Sequence, residues 1–105
     1  MEQTIEFRYD TQLLLDKYVA DGEDADDAAD DLVDEVRDHI IDTFKGDCLV
    51  VAGDSGEDEY GEKAILKLHF HTNEPWDVLE YCRTLGEIYD IVVEDMDRQS
   101  RGMKG

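Results

Sequence analysis

The sequence predicts an α+β domain of ferredoxin-like βαββαβ type, a four-stranded antiparallel sheet with two helices on one face. Three observations lead there. Thr4–Asp16 and Lys63–Thr72 alternate apolar and polar residues with period two, as half-buried strands do. Apolar residues recur at helical spacing between Asp24 and Phe44 and again from Pro75 to Leu85. The chain has 105 residues, 41% of them hydrophobic, which suits one domain over residues 1–105 with one modest core. In such a frame the first and third strands lie side by side at the centre. The sheet face without helices is left for a ligand, a metal or another chain.

The elements follow in order. In the first strand Phe7, Tyr9, Thr11, Leu13 and Leu15 share one face, and Arg8, Asp10, Gln12 and Leu14 the other. Asp21-Gly22-Glu23-Asp24 is a turn, and Asp24, Asp26 and Asp27 suit the positive start of a helix. Ala25, Ala28, Ala29, Leu32, Val36, Ile40 and Phe44 are that helix's inner side, and Lys45-Gly46 its stop. Cys48–Ala52 reads as a short buried strand. Gly53–Glu62 reads as an acidic, glycine-rich loop, with Gly53-Asp54-Ser55-Gly56 as a hairpin turn. In the next strand Ala64, Leu66, Leu68 and Phe70 face the core, opposite Ile65, Lys67, His69 and His71. Pro75 opens the second helix at a tolerated position. Trp76, Leu79, Cys82 or Arg83, and Leu85 continue it, and Gly86 ends it. Ile88–Asp95 is the last strand, with Tyr89, Ile91 and Val93 on one face. The tail from Arg98 is polar and basic and is expected to fray.

Charge excludes several functions. There are 29 acidic residues against 10 basic ones, a formal net charge of -19. Nucleic acid and anionic lipid are bound chiefly through Lys and Arg, so both are disfavoured. The acids read first as a solvated surface, favouring solubility and a basic partner, or an origin in which acidic surfaces are common. An RNA-binding use of the open face, which would offer Asp10, Gln12, Lys67, His69 and His71, also lacks the aromatic pair that stacks on bases. The two cysteines, Cys48 and Cys82, sit in apolar-looking segments without CxxC spacing and are expected to be buried and reduced. No signal-peptide segment or membrane-spanning run stands out, so no membrane insertion is expected and the location is read as cytoplasmic.

One motif carries chemistry. In His69-Phe70-His71 the two histidines are two residues apart on a strand and point to the same side, away from the core. If the first and third strands pair centrally, Asp10 approaches them. Two imidazoles and a carboxylate form a zinc set with an open fourth position. The second helix starts nearby, and its N-terminus is a candidate anion position. A histidine pair on a sheet face is also common without any metal. His39 lies on the polar or boundary side of the first helix without an assigned role. The Gly-x-x-x-x-Gly-Lys-Ser/Thr phosphate loop and the nucleophile elbow are both missing.

Lys67-Leu68-His69-Phe70-His71-Thr72-Asn73-Glu74-Pro75 resembles the middle domain of the fatty acid kinase A-subunit family, also called Dak-phosphatase-like or dihydroxyacetone-kinase-like. Val78-Leu79-Glu80-Tyr81, Gly86-Glu87-Ile88 and Val93-Glu94-Asp95-Met96 extend the resemblance. Gly46-Asp47-Cys48-Leu49-Val50-Val51-Ala52-Gly53-Asp54 is similar to the family's Gly-Asp-Ser-Leu-Val-Val-Val-Gly-Asp. Tyr9-Asp10-Thr11-Gln12 is similar to its Tyr-Cys-Thr-Glu, and Ser55–Glu62 looks longer than its usual hairpin. The resemblance implies an accessory, self-associating domain and a homodimer. The surrounding protein would phosphorylate a fatty acid presented by a DegV-type fatty-acid-binding protein, giving an acyl phosphate. ATP and magnesium would bind a separate domain, and this domain is not expected to be active alone. The resemblance also implies a metal-binding or catalytic role for His69 and His71, with Asp10 where the family has cysteine. A carboxylate there still suits zinc but removes any thiol-dependent step. The chain reads as a domain cut from a longer protein; a freestanding acidic interaction module is the other reading.

Overall fold

A computed structural model describes residues 6–105. Among the described residues seven elements run in the order β1 (Tyr9–Tyr18), α1 (Ala25–Thr43), β2 (Gly46–Asp58), β3 (Gly61–Thr72), α2 (Pro75–Arg83), β4 (Glu87–Asp95) and α3 (Met96–Ser100). The α+β class and the four-stranded antiparallel sheet are as expected. The strand order is β2-β3-β1-β4, which places β1 and β3 at the centre. The part of the predicted first strand before residue 6 lies outside the described residues.

The core forms on one sheet face. Thr11, Leu13 and Leu15 of β1 point into it, as do Ala64, Leu66, Leu68 and Phe70 of β3. Helix α1 covers them with Ala29, Leu32, Val36 and Ile40, and α2 adds Val78 and Cys82 to the same cluster. Fully burying a side chain such as Leu66 stabilises by about 1.5–3 kcal/mol, so these side chains hold both helices to one face. The start of α1 is capped by Asp24, whose Oδ1 accepts from the Asp26 and Asp27 amides at 2.8 and 3.2 Å. That is the local reason the helix begins in an acidic run.

Several expectations are corrected. Gly53–Glu62 is not a loop, because β2 runs on to Asp58 and pairs with β3 as far as Asp58↔Gly61. The turn is Glu59-Tyr60, where the Tyr60 amide donates to Asp58 Oδ1 at 2.8 Å and Gly61 takes φ 130°. Composition misled here because β2 is an edge strand. It needs backbone pairing on one side and no apolar alternation, and its acids suit a solvated edge. For the same reason Cys48–Ala52 is only partly buried: Val51 is in the core, but Cys48 is exposed.

Glycine and helix boundaries also differ from expectation. Phe44, in extended conformation, ends α1. Gly46 instead opens β2, where a Cβ would collide with the Phe70 ring and the His71 carbonyl. Helix α2 ends at Arg83. Its buried residues are Pro75, Val78 and Cys82, while Trp76 is 60% exposed, its ring tilted against that of Tyr9. A short helix carries the chain past Arg98 to Ser100. Asp95 caps α3 by accepting from the Arg98 amide at 3.0 Å.

The expected face of β4 is split by a bulge. Leu14 pairs with Tyr89 and Gln12 with Val92, so β4 holds one extra residue between them, and Asp90 takes φ 49°. An extra residue inverts the period-two phase. Tyr89 therefore lies on the open face with Leu14, whereas Val93 lies across from Thr11 on the core side.

Gly86 is required by close approach, since a Cβ there would fall on the Asp16 carbonyl of β1. Gly86→Ala is expected to cost about 1–3 kcal/mol, the usual range for forcing an extra carbon into a packed site. Urea unfolding measures it as a lower midpoint at unchanged slope. An unchanged midpoint would mean that β4 can shift away without loss.

Candidate functional site

The register of β1 on β3 assembles the site. Asp10 pairs with His71 and Gln12 with His69. On the far side of β1, Glu94 pairs with Asp10, and on the far side of β3, Asp47 pairs with His71. Directly opposed residues share a face, so Asp47, His71, Asp10 and Glu94 form one row across the open side of the sheet. Val50, His69, Gln12 and Val92 form the next row.

The sequence-predicted trio is brought together. His69 Nε2 lies 3.0 Å from Asp10 Oδ1, and His71 Nε2 lies 3.8 Å from the same oxygen. The two Nε2 atoms are 3.1 Å apart. At that distance at least one ring presents its lone pair to the other. Donor atoms bound to one tetrahedral zinc at about 2.0–2.1 Å stand about 3.3 Å apart, so these separations fit a shared cation. Gln12 Nε2 donates to Asp10 Oδ2 at 3.2 Å and orients the carboxylate. Asp47 Oδ1 is 3.6 Å from His71 Nδ1. A carboxylate behind the ring favours a proton on Nδ1 and leaves Nε2 free to ligate. Glu94 is turned aside, accepting from Gln99 Nε2 at 2.7 Å.

The residues after His71 are a structural junction. Thr72 is fully buried; its hydroxyl donates to the Lys45 carbonyl at 2.8 Å and accepts from the Glu74 amide at 3.1 Å. Asn73 accepts from the Arg8 amide at 2.7 Å and donates to the Glu6 carbonyl at 3.0 Å. The Arg8 guanidinium pairs with both oxygens of Asp95 and holds that carboxyl below the usual carboxylate range. These bonds tie the starts of β1, β2, α2 and α3 to the end of β3 that carries the histidines. The anion position expected at the α2 N-terminus is not supported. The helix packs on the opposite face of the sheet from His69 and His71.

The other end of the open face carries a second polar cluster. Lys63 Nζ meets Asp16 Oδ2 at 2.7 Å and Asp58 Oδ2 at 3.4 Å. Tyr89 donates to Asp16 Oδ1 at 2.9 Å, and Tyr18 donates to Asp58 Oδ2. The Asp58 carboxylate pushes the Tyr18 phenol up to about 12. Every charge here has a partner, so the cluster reads as a clasp on the β2–β3 hairpin. His39 is likewise structural: its ring stacks on Tyr81 with centroids 3.8 Å apart, joining α1 to α2.

Sequence reasoning missed Asp47 and Cys48. A bulge between Asp47 and Val50 inserts an extra residue, and Cys48 takes φ 54°. That residue turns toward the histidine side rather than the core. Spacing alone gives no signal for it, because Cys48-Leu49-Val50-Val51 reads as plain strand.

Geometry thus defines an α+β sheet domain with a cluster of metal-type donors on its uncovered face. Residues 6–103 match the FakA-like middle-domain family, the middle domain of fatty acid kinase A-subunit-like proteins, and the chain belongs to that family. No curated protein and no solved structure matches it.

The two thiols are expected to differ in reactivity. Cys48 is exposed, whereas burial pushes the Cys82 thiol up to about 12. Iodoacetamide on the native chain should modify Cys48 alone, with Cys82 reacting only after denaturation. Equal labelling of both in native buffer, read by peptide mass spectrometry, would contradict this packing.

Proposed function

We propose that this domain is an accessory, self-associating part of a fatty-acid-kinase-like multidomain protein. In that reading it helps place the acyl group for phosphorylation together with a DegV-type fatty-acid-binding protein. Phosphotransfer, with its ATP and magnesium, belongs to a separate nucleotide-binding domain; this domain is assigned no activity alone. The frame is read as ferredoxin-like from the element order, the central β1–β3 pair and both helices on one face, with α3 an addition. No helix among the described residues is long and apolar enough to cross a membrane.

The observation that carries the reading is the uncovered sheet face. Leu14 and Ile65 lie there, Val50 is 55% exposed and Val92 36%. An apolar strip between two polar clusters gains by being covered, and a second copy does so symmetrically. Sedimentation at rising concentration should show a dimer. The double substitution Val50→Glu and Val92→Glu, on solvent-facing positions, should shift the equilibrium to monomer while the circular dichroism spectrum stays unchanged. A wild-type chain that remains monomeric at high concentration would defeat the proposal.

The convergence of Asp10, His69 and His71 supports a second reading, a zinc site. Asp10 supplies a hard oxygen, the two Nε2 atoms supply borderline nitrogens, and Gln12 holds the carboxylate in place. Zinc bound there would supply a Lewis-acidic position with room for one more ligand. Zinc addition should perturb the imidazole resonances of His69 and His71, and Asp10→Ala should weaken the perturbation by about tenfold or more. His69 resonances indifferent to saturating zinc would remove this reading.

A further inference from the structure

Asp47, Cys48 and His71 form a second group of donors. One ligand atom from each lies within 4.8 Å of the other two. The β2 bulge produces this arrangement by interrupting the ladder between Asp47 and Val50 and carrying Cys48 out of the core. Asp47 approaches His71 from the Nδ1 side, at 3.6 Å. Asp10 and His69 approach the same ring from the Nε2 side, at 3.8 and 3.1 Å. His71 therefore stands between two donor sets, each reaching a different nitrogen.

A neutral imidazole has one lone-pair nitrogen and one N–H. If Nε2 ligates, Nδ1–H faces the Asp47 carboxylate. If Nδ1 ligates, Nε2–H faces the Asp10 carboxylate. Each carboxylate thus supports the tautomer that serves the other set. The sets also differ in softness. Asp10 and His69 offer oxygen and nitrogen, while Asp47 and Cys48 offer oxygen and a thiolate, which selects soft cations.

We propose that Asp47, Cys48 and His71 Nδ1 form a separate metal seat for a thiophilic divalent cation, exclusive of the Asp10–His69–His71 seat because the two share one imidazole. Binding forms a metal–sulfur bond and releases the Cys48 thiol proton to solvent, with no change of oxidation state. Occupation of this seat turns His71 Nε2 into an N–H donor toward Asp10 and takes that nitrogen from the other set. The proposal goes beyond the zinc reading above and stands without it, since it needs neither Asp10 nor His69 as a ligand.

The test uses the whole 105-residue chain and cadmium(II) as the probe. Two signals are read: the ultraviolet thiolate-to-metal charge-transfer band, and the rate at which iodoacetamide modifies Cys48. Wild type and His69→Ala should both show the band, with Cys48 alkylation slowed about tenfold or more. Cys48→Ser should show no band. Asp47→Asn and His71→Gln, both on the open face, should weaken cadmium binding by about tenfold or more with the circular dichroism spectrum unchanged.

Loss of the band in His69→Ala would place the thiolate on the Asp10–His69 centre and overturn the separate seat. Wild-type affinity in both Asp47→Asn and His71→Gln would mean a bare surface thiol only, and would also overturn it. Absence of any band or protection in the wild type would end the proposal and leave the zinc reading untouched, because that reading is decided by His69 resonances.

Discussion

The pairing of β1 with β3 runs from Tyr9↔Thr72 to Tyr18↔Lys63 without a shift, and the other features of the domain depend on that register. A slip by one residue would turn Leu13 and Leu15 outward and bring Asp10 and Gln12 toward the helices. Burial on one face and donor placement on the other are thus two consequences of a single alignment. The strands outside this pair tolerate irregularity, and each carries one bulge, at Cys48 in β2 and at Asp90 in β4. Edge strands can absorb an extra residue because one side of their backbone is unpaired. A bulge in either central strand would disturb two ladders.

The bulges decide what the open face presents. In β4 the extra residue brings Tyr89 onto the face with Asp16 and sends Val93 to the core side. In β2 it places a thiol beside His71. Cys48 on β2 and Asp10 on β1 thus flank His71 from opposite sides of β3. With a net charge of -19, the surface attracts cations generally. Selectivity must come from imidazole and thiol donors, which are few: His39 stacks on Tyr81 and Cys82 is buried, leaving His69, His71 and Cys48.

The junction after His71 explains why the most specific sequence string is more structural than chemical. Thr72 ties β2 to α2, Asn73 ties the approach to β1, and Pro75 starts a helix on the opposite face. On the open sheet face the string presents Lys67, His69 and His71. A string in which adjacent residues serve adjacent elements is recognisable as a pattern long before the role of each residue is clear.

Period-two alternation in β1 and β3 and the helical spacing of Leu32, Val36 and Ile40 depend on local geometry, so the amino-acid sequence by itself determined the element order, the core-facing residues of the central strands and the side on which His69 and His71 lie. The same logic placed Asp10 opposite the histidines once central pairing was assumed. Tertiary structure alone decided the extent of β2, the inversion within β4, the exposure of Trp76 and the outward turn of Cys48. Each of these depends on what a segment packs or pairs against. An edge strand needs no apolar pattern, a bulge changes phase without a composition signal, and a tryptophan's burial depends on a neighbour many residues away. The fold class and the first donor set were therefore legible in advance, whereas the second donor set exists only through pairing of β2 with β3.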